Sequence, residues 1–146
     1  METMRFKKLC PEAVTPTRAT DGSAGYDLSA CMEAPITVRR GEVAKIPTGI
    51  AIELPAGYAA LIFGRSGLGI KHGVVPANAV GLIDSDYRGE IAVGLTCQCQ
   101  AGYTIQPYER IAQMVIVPVE TPKLIETEEL DDTARGAGGF GSSGRC

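Results

Sequence analysis

No stretch of the sequence is apolar over the roughly 18 residues that a membrane-spanning helix needs, so no membrane span is predicted. The first residues, Met1 to Leu9, carry charges without an apolar segment, and we therefore expect no secretory signal. The expected location is the cytoplasm, with the nucleus or the cytosol of a viral host as alternatives. A net charge of −3 argues against broad nucleic-acid binding, which needs a basic face. A local phosphate site stays open, because a few convergent donors outweigh the mean charge nearby.

Histidine is scarce and tryptophan is absent. The one histidine, His72, has no obvious carboxylate relay, which argues against a nucleophilic serine or cysteine with a histidine partner. Cys97 and Cys99 occupy alternate positions of a predicted strand and share a face, but with one histidine they do not suggest a zinc site. Because the cysteines are odd in number and no signal peptide is seen, we expect free thiols in a reducing compartment. They are Cys10, Cys31, Cys97, Cys99 and Cys146.

Long helices have little room, because 18 glycines and 9 prolines interrupt the chain. The longest stretch without either residue, Lys123 to Arg135, combines a poor apolar stripe with many acidic side chains, so it is predicted to be a solvated linker. One short helical turn is expected, either around residues 19–21 or within Leu68 to Lys71. The pattern does not decide between these two positions.

Strand signals are stronger than helix signals. Apolar residues alternate with more variable ones from Ile46 to Leu54 and again from Ile91 to Cys99. The segment from Ile111 to Val119 is almost wholly apolar, which is typical of a strand buried on both faces. Many short strands separated by frequent turns predict an all-β single domain, a β-sandwich or jelly roll.

The stretch from Ala77 to Glu90 is predicted to form a hairpin on which the rest of the chain is organised. A short apolar segment is followed by residues of turn composition, and a strict alternation then resumes at Ile91. The exposed edge of such a hairpin can present fixed backbone groups to a flat polar ligand. The same pattern also fits a surface hairpin whose aspartates merely stabilise a turn.

Five short motifs occur in order along the chain. They are Ala24-Gly-Tyr-Asp-Leu-Ser-Ala30, Gly64-Arg-Ser-Gly-Leu-Gly69, the 77–90 stretch, Arg110-Ile-Ala-Gln113 and Arg135-Gly-Ala-Gly-Gly-Phe-Gly-Ser-Ser-Gly144. Together they resemble the motifs of the homotrimeric dUTP diphosphatases (dUTPases), over nearly the whole chain. The resemblance implies a distorted jelly roll, a homotrimer and hydrolysis of dUTP to dUMP and pyrophosphate. That reaction would keep uracil out of DNA and supply dUMP for thymidylate synthesis.

The resemblance implies a phosphate site at Arg65, Ser66 and the Gly67 N–H, which can offer a charge, a hydroxyl and a backbone donor directly after a strand. Gln113 adds an amide. Mg²⁺ is the implied cofactor, bound mainly through phosphate oxygens and water because it dehydrates reluctantly. Asp27 either reaches this metal through water or is a structural carboxylate that ties a turn. No Gly-Lys-Ser/Thr sequence occurs, so the chain is not a P-loop nucleotidase of the usual kind.

The resemblance places uracil against the hairpin, where the Asn78 amide and backbone groups of Gly81 and Ile83 would pair with the base. A narrow cleft would reject the methyl of thymine sterically and cytosine by donor–acceptor mismatch. Tyr87 would lie under the deoxyribose and leave no space for a 2′-hydroxyl. Asp84 would be the catalytic residue, orienting and deprotonating a water that attacks the α-phosphorus.

The chain is predicted to divide into a β domain of residues 1–134 and a glycine-rich tail of residues 135–146. A tail of this composition is either disordered or able to order over a phosphorylated ligand, because glycines let successive N–H groups point at one anion. The resemblance implies that the tail closes over the active site. Arg135, Ser142 and Ser143 would then contact the phosphates, and Phe140, next to Gly141, would stack on the base.

Two departures from the family pattern are visible. Tyr108-Glu-Arg110 stands where Gly-Asp-Arg is more usual, which puts the turn before Ile111 in doubt. Ser142-Ser143 stands where Ser-Thr is more usual and keeps a hydroxyl.

Two rival functions are considered. A dCTP deaminase shares the jelly roll and trimer, but it is expected to carry a glutamate at the place of Asp84, and release of ammonia from dCTP would identify it. A jelly-roll structural or assembly protein would need neither Asp84 nor the tail, and a nucleotide-binding assay would separate it.

Overall fold

Eleven strands and one helix make up the regular structure of the chain in a computed structural model that describes residues 3–140. The strands are β1 (Arg5–Lys8), β2 (Tyr26–Ser29), β3 (Ile36–Val38), β4 (Val43–Pro47), β5 (Ile50–Glu53), β6 (Tyr58–Gly64), β7 (Val74–Pro76), β8 (Gly81–Ile83), β9 (Ala92–Cys97), β10 (Tyr103–Ile105) and β11 (Arg110–Pro118); the helix is α1 (Ser66–His72). The predicted all-β class is therefore confirmed. Within residues 3–140, no helix has the length and apolar character needed to cross a bilayer.

The strands form four antiparallel sheets around one cluster of buried side chains. The largest sheet has the order β2-β11-β6-β8, and a second has the order β4-β9-β7. Two small ribbons, β1-β5 and β3-β10, complete the body. Sheets that face one another over a shared apolar core make up a β-sandwich of the jelly-roll class.

Strand β11, which begins with the fourth motif, lies between two strands that belong to other motifs. They are β2, which is part of the first motif, and β6, which ends where the second motif begins. β11 pairs with β2 on one side and β6 on the other, and Ile111, Ala112 and Met114 are buried. The prediction of a buried strand from Ile111 to Val119 is confirmed for this first half. Of the apolar residues that follow, Val115, Ile116 and Val117 are only half-buried and Pro118 is exposed.

The alternation from Ile46 to Leu54 identifies buried side chains correctly but misses a bend. Ile46, Thr48, Ile50, Ile52 and Leu54 are all buried. Gly49, however, has a φ of +67°, a left-handed conformation that favours glycine, and it divides the predicted strand into β4 and β5. β4 pairs with β9 whereas β5 pairs with β1, so the bend transfers the chain from one sheet to another.

Strand β9 confirms the second alternation up to Cys97. Val93, Leu95 and Cys97 are buried, and the residues between them are half-buried. The expectation that Cys97 and Cys99 share one face of a strand is wrong, because β9 ends at Cys97 and Cys99 lies beyond it, exposed.

The predicted hairpin around residues 77–90 is also wrong in its pairing. β8 pairs with β6 in the largest sheet, whereas β9 pairs with β4 and β7 in another. The polar residues between β8 and β9 are therefore a crossover between two sheets. Sequence pattern misled here because two apolar segments around a turn look alike whether they pair with each other or with separate partners.

The remaining local predictions agree with the structure. The helical turn lies within Leu68 to Lys71, as part of α1, which ends at Gly73 with a φ of 66°. A left-handed glycine is a common helix end, because it lets backbone N–H groups reach the last free carbonyls. Residues 123–135 form neither helix nor strand and are exposed throughout, as expected for a solvated linker.

Candidate active site

The order of strands in the largest sheet gathers the predicted phosphate-binding residues. On β11, Gln113 stands opposite Asp27 of β2 and opposite Phe63 of β6. Strand β6 ends at Gly64, opposite Ala112, and Arg65 follows directly after it. The Gln113 side-chain amide donates to the Gly64 carbonyl oxygen at 3.1 Å, which fixes the amide at the end of β6.

Asp27 lies between two arginines. One carboxylate oxygen is 3.2 Å from Arg65 Nε, and the other accepts a hydrogen bond from Arg110 Nη1 at 3.0 Å. Arg65 Nη1 also donates to the Arg110 carbonyl oxygen at 3.3 Å. Two guanidinium groups around one carboxylate leave a net positive charge, which suits a polyanionic ligand.

Arg110 is the functional candidate that sequence reasoning missed. It lies in the fourth motif, from which only Gln113 was assigned a role.

The turn before Arg110 is held by Glu109, which accepts hydrogen bonds from the Tyr103 hydroxyl at 2.5 Å and the Gln106 N–H at 2.9 Å. The hydrogen bond to Glu109, together with burial, raises the pKa of Tyr103 to about 12.

The same turn shows why glycine is more usual at the position of Tyr108. Tyr108 has a φ of 66°, a left-handed conformation that glycine adopts more readily than tyrosine. Its N–H donates to the Ala30 carbonyl oxygen at 2.9 Å, so the turn forms despite the substitution.

Ser66 and Gly67 open α1, which begins immediately after the extended residue Arg65. The first N–H groups of a helix have no partner within the helix, so they are available to a ligand. A cavity of about 310 Å³ lies against these groups. Its lining includes Gly25, Asp27, Arg65, Ser66, Gly67, Arg110 and Gln113. The four phosphate-site residues predicted outside the tail thus share one cavity, with Asp27 and Arg110 beside them.

A second, smaller cavity of about 230 Å³ contains the predicted base-binding residues. Asn78, Gly81 and Ile83 line it from one side, and Ala92, Val93 and Gly94 of β9 line it from the other. Within residues 3–140, β8 pairs only with β6 and is an edge strand. Because β8 and β9 do not pair, backbone groups of β8 remain free to meet a ligand between them.

Gly81 lies where β8 packs tightly against β6. A Cβ atom added to it would lie 3.1 Å from Ile62 Cβ on the neighbouring strand β6. A side chain at this position would therefore press on the sheet. Glycine lets the backbone of β8 lie close against β6.

Asp84 and Tyr87 lie on the crossover directly after β8. Asp84 is exposed, and its carbonyl oxygen accepts a hydrogen bond from the Tyr87 N–H at 3.2 Å. The Tyr87 hydroxyl donates to the Glu90 carbonyl oxygen at 2.9 Å. Its ring packs so closely over Gly89 that an added Cβ would lie 2.5 Å from the ring carbon bearing the hydroxyl. The tyrosine is therefore held in a defined position beside Asp84.

The predicted tail residues lie apart from both cavities as far as the structure describes them. Arg135 Nε donates to the Gly138 carbonyl oxygen at 2.9 Å, within the tail itself. Phe140 is fully exposed. Gly141, Ser142 and Ser143 lie outside the described residues, so their predicted roles stay predictions.

The phosphate cavity offers few protein ligands for a divalent cation. Among residues 3–140, no group of three or more His, Cys, Asp or Glu side chains could hold a metal ion. Both oxygens of Asp27 face arginines. This donor set fits a Mg²⁺ ion that arrives with phosphate and keeps most of its ligands from phosphate and water.

Comparison with protein families and curated sequences gives a consistent result. The family model described as dUTPase matches residues 11–144. A deoxyuridine 5′-triphosphate nucleotidohydrolase of Janthinobacterium sp. (strain Marseille) is 51% identical over 99% of this chain and 99% of its own. One of Burkholderia mallei (strain SAVP1) is 53% identical over 89% of this chain and 88% of its own.

Solved structures agree. A mutant of the phage 80alpha dUTPase matches with a TM-score of 0.89 and 31% identity, covering 97% of this chain and 99% of that one. Another mutant of the Staphylococcus phage 80alpha dUTPase, determined with dUpNHpp, matches with a TM-score of 0.85 and 29% identity over 99% and 100% of the two chains. A mutant dUTPase of phage phi11 of S. aureus, which coordinates a structural Mg(II) ion, has a TM-score of 0.79 and 27% identity over 88% and 98%.

Proposed function

The chain belongs to the dUTPase family, and from this we propose that it hydrolyses dUTP to dUMP and pyrophosphate. The observation that carries the proposal is the presence of two cavities whose lining residues suit the two ends of a nucleotide, the phosphates and the base. One has two arginines, a serine and a side-chain amide, and the other is small and borders an unpaired strand edge.

The triphosphate binds in the larger of these cavities. Arg65 supplies a bidentate cation, the Ser66 hydroxyl and Gly67 N–H supply neutral donors, and Gln113 supplies an amide. Asp27 keeps Arg65 and Arg110 side by side before substrate arrives, which lowers the entropy lost when both turn toward phosphate.

The uracil ring enters the smaller cavity. The Asn78 amide and the backbone of Gly81 and Ile83 pair with its polar edge, while Val93 and other apolar neighbours define its walls. The cavity selects uracil over cytosine because the donors and acceptors of cytosine do not match it. An unpaired buried polar group costs about 1–3 kcal/mol. A methyl group at the thymine position would collide with the walls.

The sugar lies against Tyr87, whose ring is fixed by Gly89 and by its bond to Glu90. A ring held in this way cannot move aside for a 2′-hydroxyl, so UTP is excluded. Asp84, three residues earlier on the same crossover, then faces the sugar and the α-phosphate.

The hydrolytic step uses one carboxylate and one water. Asp84 accepts a proton from the water as its oxygen attacks the α-phosphorus, and pyrophosphate departs. Arg65 and the other phosphate donors stabilise the charge that builds on the phosphate oxygens. Mg²⁺, when bound through the phosphates and water, offsets part of the triphosphate charge. No covalent intermediate with a serine or cysteine is involved.

A complete site draws on three chains of a homotrimer. One chain supplies Arg65, Ser66 and Gln113, another the Asp84 crossover, and a third the tail with Arg135, Phe140, Gly141, Ser142 and Ser143. The separation of the two cavities and the full exposure of Phe140 support this arrangement. Exposed apolar side chains at Leu82, Leu124 and Ile125 support contact with neighbouring chains.

In the cell, the reaction removes dUTP before it is used in DNA synthesis and yields dUMP for thymidylate synthesis. The assignment is tested by measuring pyrophosphate release from dUTP, dTTP, dCTP and UTP with Mg²⁺. We expect rapid release from dUTP and little from the others. Comparable turnover of UTP would contradict the role of Tyr87, and ammonia release from dCTP would indicate a deaminase.

A further inference from the structure

We propose that Cys10 and Cys31 are the two halves of a reversible disulfide site, which fastens the N-terminal segment to the body of the protein under oxidation. The N-terminal segment is defined as residues 3–13, which include β1. Neither cysteine belongs to the proposed dUTP site, so this proposal stands or falls independently of it.

The two sulfur atoms already lie side by side. Cys10 Sγ and Cys31 Sγ are 2.8 Å apart although the residues are 21 positions apart along the chain, and both thiols are free and half-buried. A disulfide requires about 2.05 Å between the sulfurs. A small side-chain movement therefore suffices, and partial exposure lets a small oxidant reach the pair.

The backbone on both sides holds the thiols in this position. The N–H of Leu9 donates to the Gly49 carbonyl oxygen at 2.8 Å, and the N–H of Cys31 donates to the Pro47 carbonyl oxygen at 2.8 Å. Both cysteines are thus anchored to the same bend between β4 and β5. Their approach is a consequence of the tertiary fold rather than of a chance side-chain rotamer.

Gly49 leaves space for two sulfurs and little else. A Cβ atom built on Gly49 would lie 2.9 Å from Cys10 Sγ, 3.0 Å from Cys31 Sγ and 2.7 Å from Ala13 Cβ. The two sulfurs are therefore packed against the bend and face each other there. Because the sulfurs are already in contact, oxidation at one of them is expected to end as a bond between the two cysteines.

The chemistry needs a two-electron oxidant, for which we name a peroxide. The Cys10 sulfur attacks the peroxide oxygen, the O–O bond breaks, and a sulfenic acid and one water form. The Cys31 sulfur then attacks the sulfenic sulfur, and hydroxide leaves and takes the Cys31 proton as a second water. The two thiols lose two electrons, and hydrogen peroxide gains them.

The two cysteines differ in their suitability for these steps. Burial, the hydrogen bond with Cys10 and nearby negative charge raise the pKa of Cys31 to about 11. Cys31 therefore keeps its proton at neutral pH and fits the resolving role. The sulfur that meets the oxidant is then that of Cys10. A reducing dithiol would reverse the reaction by ordinary exchange.

The bond would matter because the N-terminal segment is weakly held. All four side chains of β1 are exposed, and its attachment consists mainly of the short ribbon with β5 and the buried Ala13. A covalent link between Cys10 and Cys31 restricts the unfolded chain and prevents local opening of this segment.

Peptide mapping of the full chain tests whether the bond forms. The protein is treated with hydrogen peroxide, blocked with N-ethylmaleimide and digested with trypsin. We expect peptide 9–18 joined to peptide 19–39, and separation of the two after dithiothreitol. Cys10→Ser should abolish the joined peptide, whereas Cys99→Ser, which removes an exposed thiol elsewhere, should preserve it. Alkylated Cys10 and Cys31 in protein whose Cys99 has been oxidised would overturn the proposal.

Thermal unfolding tests whether the bond fastens the segment. Oxidised protein should melt on the order of 5 °C higher than reduced protein, as expected for a cross-link closing a loop of this size. The increase should disappear with dithiothreitol and be absent in Cys10→Ser, but remain in Cys99→Ser. A joined peptide without any rise in melting temperature would overturn the stabilising role.

Discussion

Asp84 is the proposed general base, and its exposed carboxylate directly follows β8. We predict that Asp84→Asn binds nucleotide and folds normally but loses about 10²–10⁴-fold in kcat, since an amide cannot accept the proton of water. Pyrophosphate release and nucleotide binding measure the two effects. Asp86→Asn, on the same crossover, is the matched control. Near-normal turnover of Asp84→Asn would move the base elsewhere, with Asp86 the next candidate.

Asp27 raises a different question at the residue scale, because it faces two arginines and was expected either to reach Mg²⁺ through water or to tie a turn. If it positions Arg65 and Arg110, Asp27→Ala should lower kcat/KM for dUTP by about tenfold, because both arginines lose the carboxylate that holds them. The Mg²⁺ concentration giving half-maximal activity should not change.

Asp21→Ala is the control for this prediction, because Asp21 is an exposed acid that interacts with Arg18 through its carbonyl oxygen rather than its side chain. A large rise in the Mg²⁺ requirement of Asp27→Ala would instead support the metal-linked role.

At the scale of elements, the turn between β10 and β11 depends on Tyr103 and Glu109. The pKa of Tyr103 is raised from 10.0 to about 12, so the neutral hydroxyl contributes stability that is complete below pH 10.0 and is lost as pH rises through about 12. Tyr103→Phe should be less stable than the natural protein by about 1 kcal/mol at neutral pH, and the difference should vanish across this window.

Denaturant unfolding of both proteins over that pH range measures the effect. The pKa of Cys31 is raised from 9.0 to about 11 as well, but its contribution is common to both proteins and cancels in the difference. Tyr108→Phe, which changes an exposed ring, should show no such dependence. A stability difference that stays constant up to pH 12 would contradict the role of the hydrogen bond to Glu109.

The tail is the element on which we expect activity to depend most. Removal of residues 135–146 should leave a folded protein, because residues 135–140 bury little surface, yet it should abolish most dUTP hydrolysis. Circular dichroism and pyrophosphate release check the two expectations. A control lacking only residues 145–146 keeps the whole fifth motif and should remain active.

Protection from proteolysis tests independently whether the tail closes over the ligand. We expect the non-hydrolysable analogue dUpNHpp to slow cleavage within residues 135–144, because a segment rich in glycine gains order when it covers a ligand. Equal cleavage with and without the analogue would count against a closing tail.

At the scale of the whole molecule, the proposed closed C₃ assembly would let each site take parts from different chains, because its interfaces would repeat head to tail. Asp84→Asn protein and protein lacking residues 135–146 should each be inactive alone. When they are refolded together in equal amounts, a site can combine Asp84 from one chain with a tail from another. Roughly a quarter of sites should regain activity if mixing is random.

Two controls are needed before the activity of the mixture can show whether the site is shared between chains. Each mutant refolded alone should remain inactive, and mass measurement should establish that mixed trimers form. If one chain supplied both parts, every site would keep one defect and no mixture would recover. Inactive mixed trimers would therefore rule out the shared site.

The sequence alone determined those properties that depend on local pattern. Alternation from Ile46 to Leu54 and along β9 identified buried side chains, because a strand exposes and buries successive residues whatever its partner. The frequency of glycine and proline predicted many short strands. The five motifs identified the family and led to the predicted roles of Asp84, Arg65 and Gln113, since motifs are written directly in the chain.

Only the tertiary structure decided which segments meet. It paired β8 with β6 instead of β9, set Asp27 between Arg65 and Arg110, and brought Cys10 beside Cys31. None of these contacts has a local signature, because each joins residues far apart in sequence whose proximity results from packing the whole core. The sequence therefore supplied the chemical groups, and the long-range pairing of strands determined their neighbours.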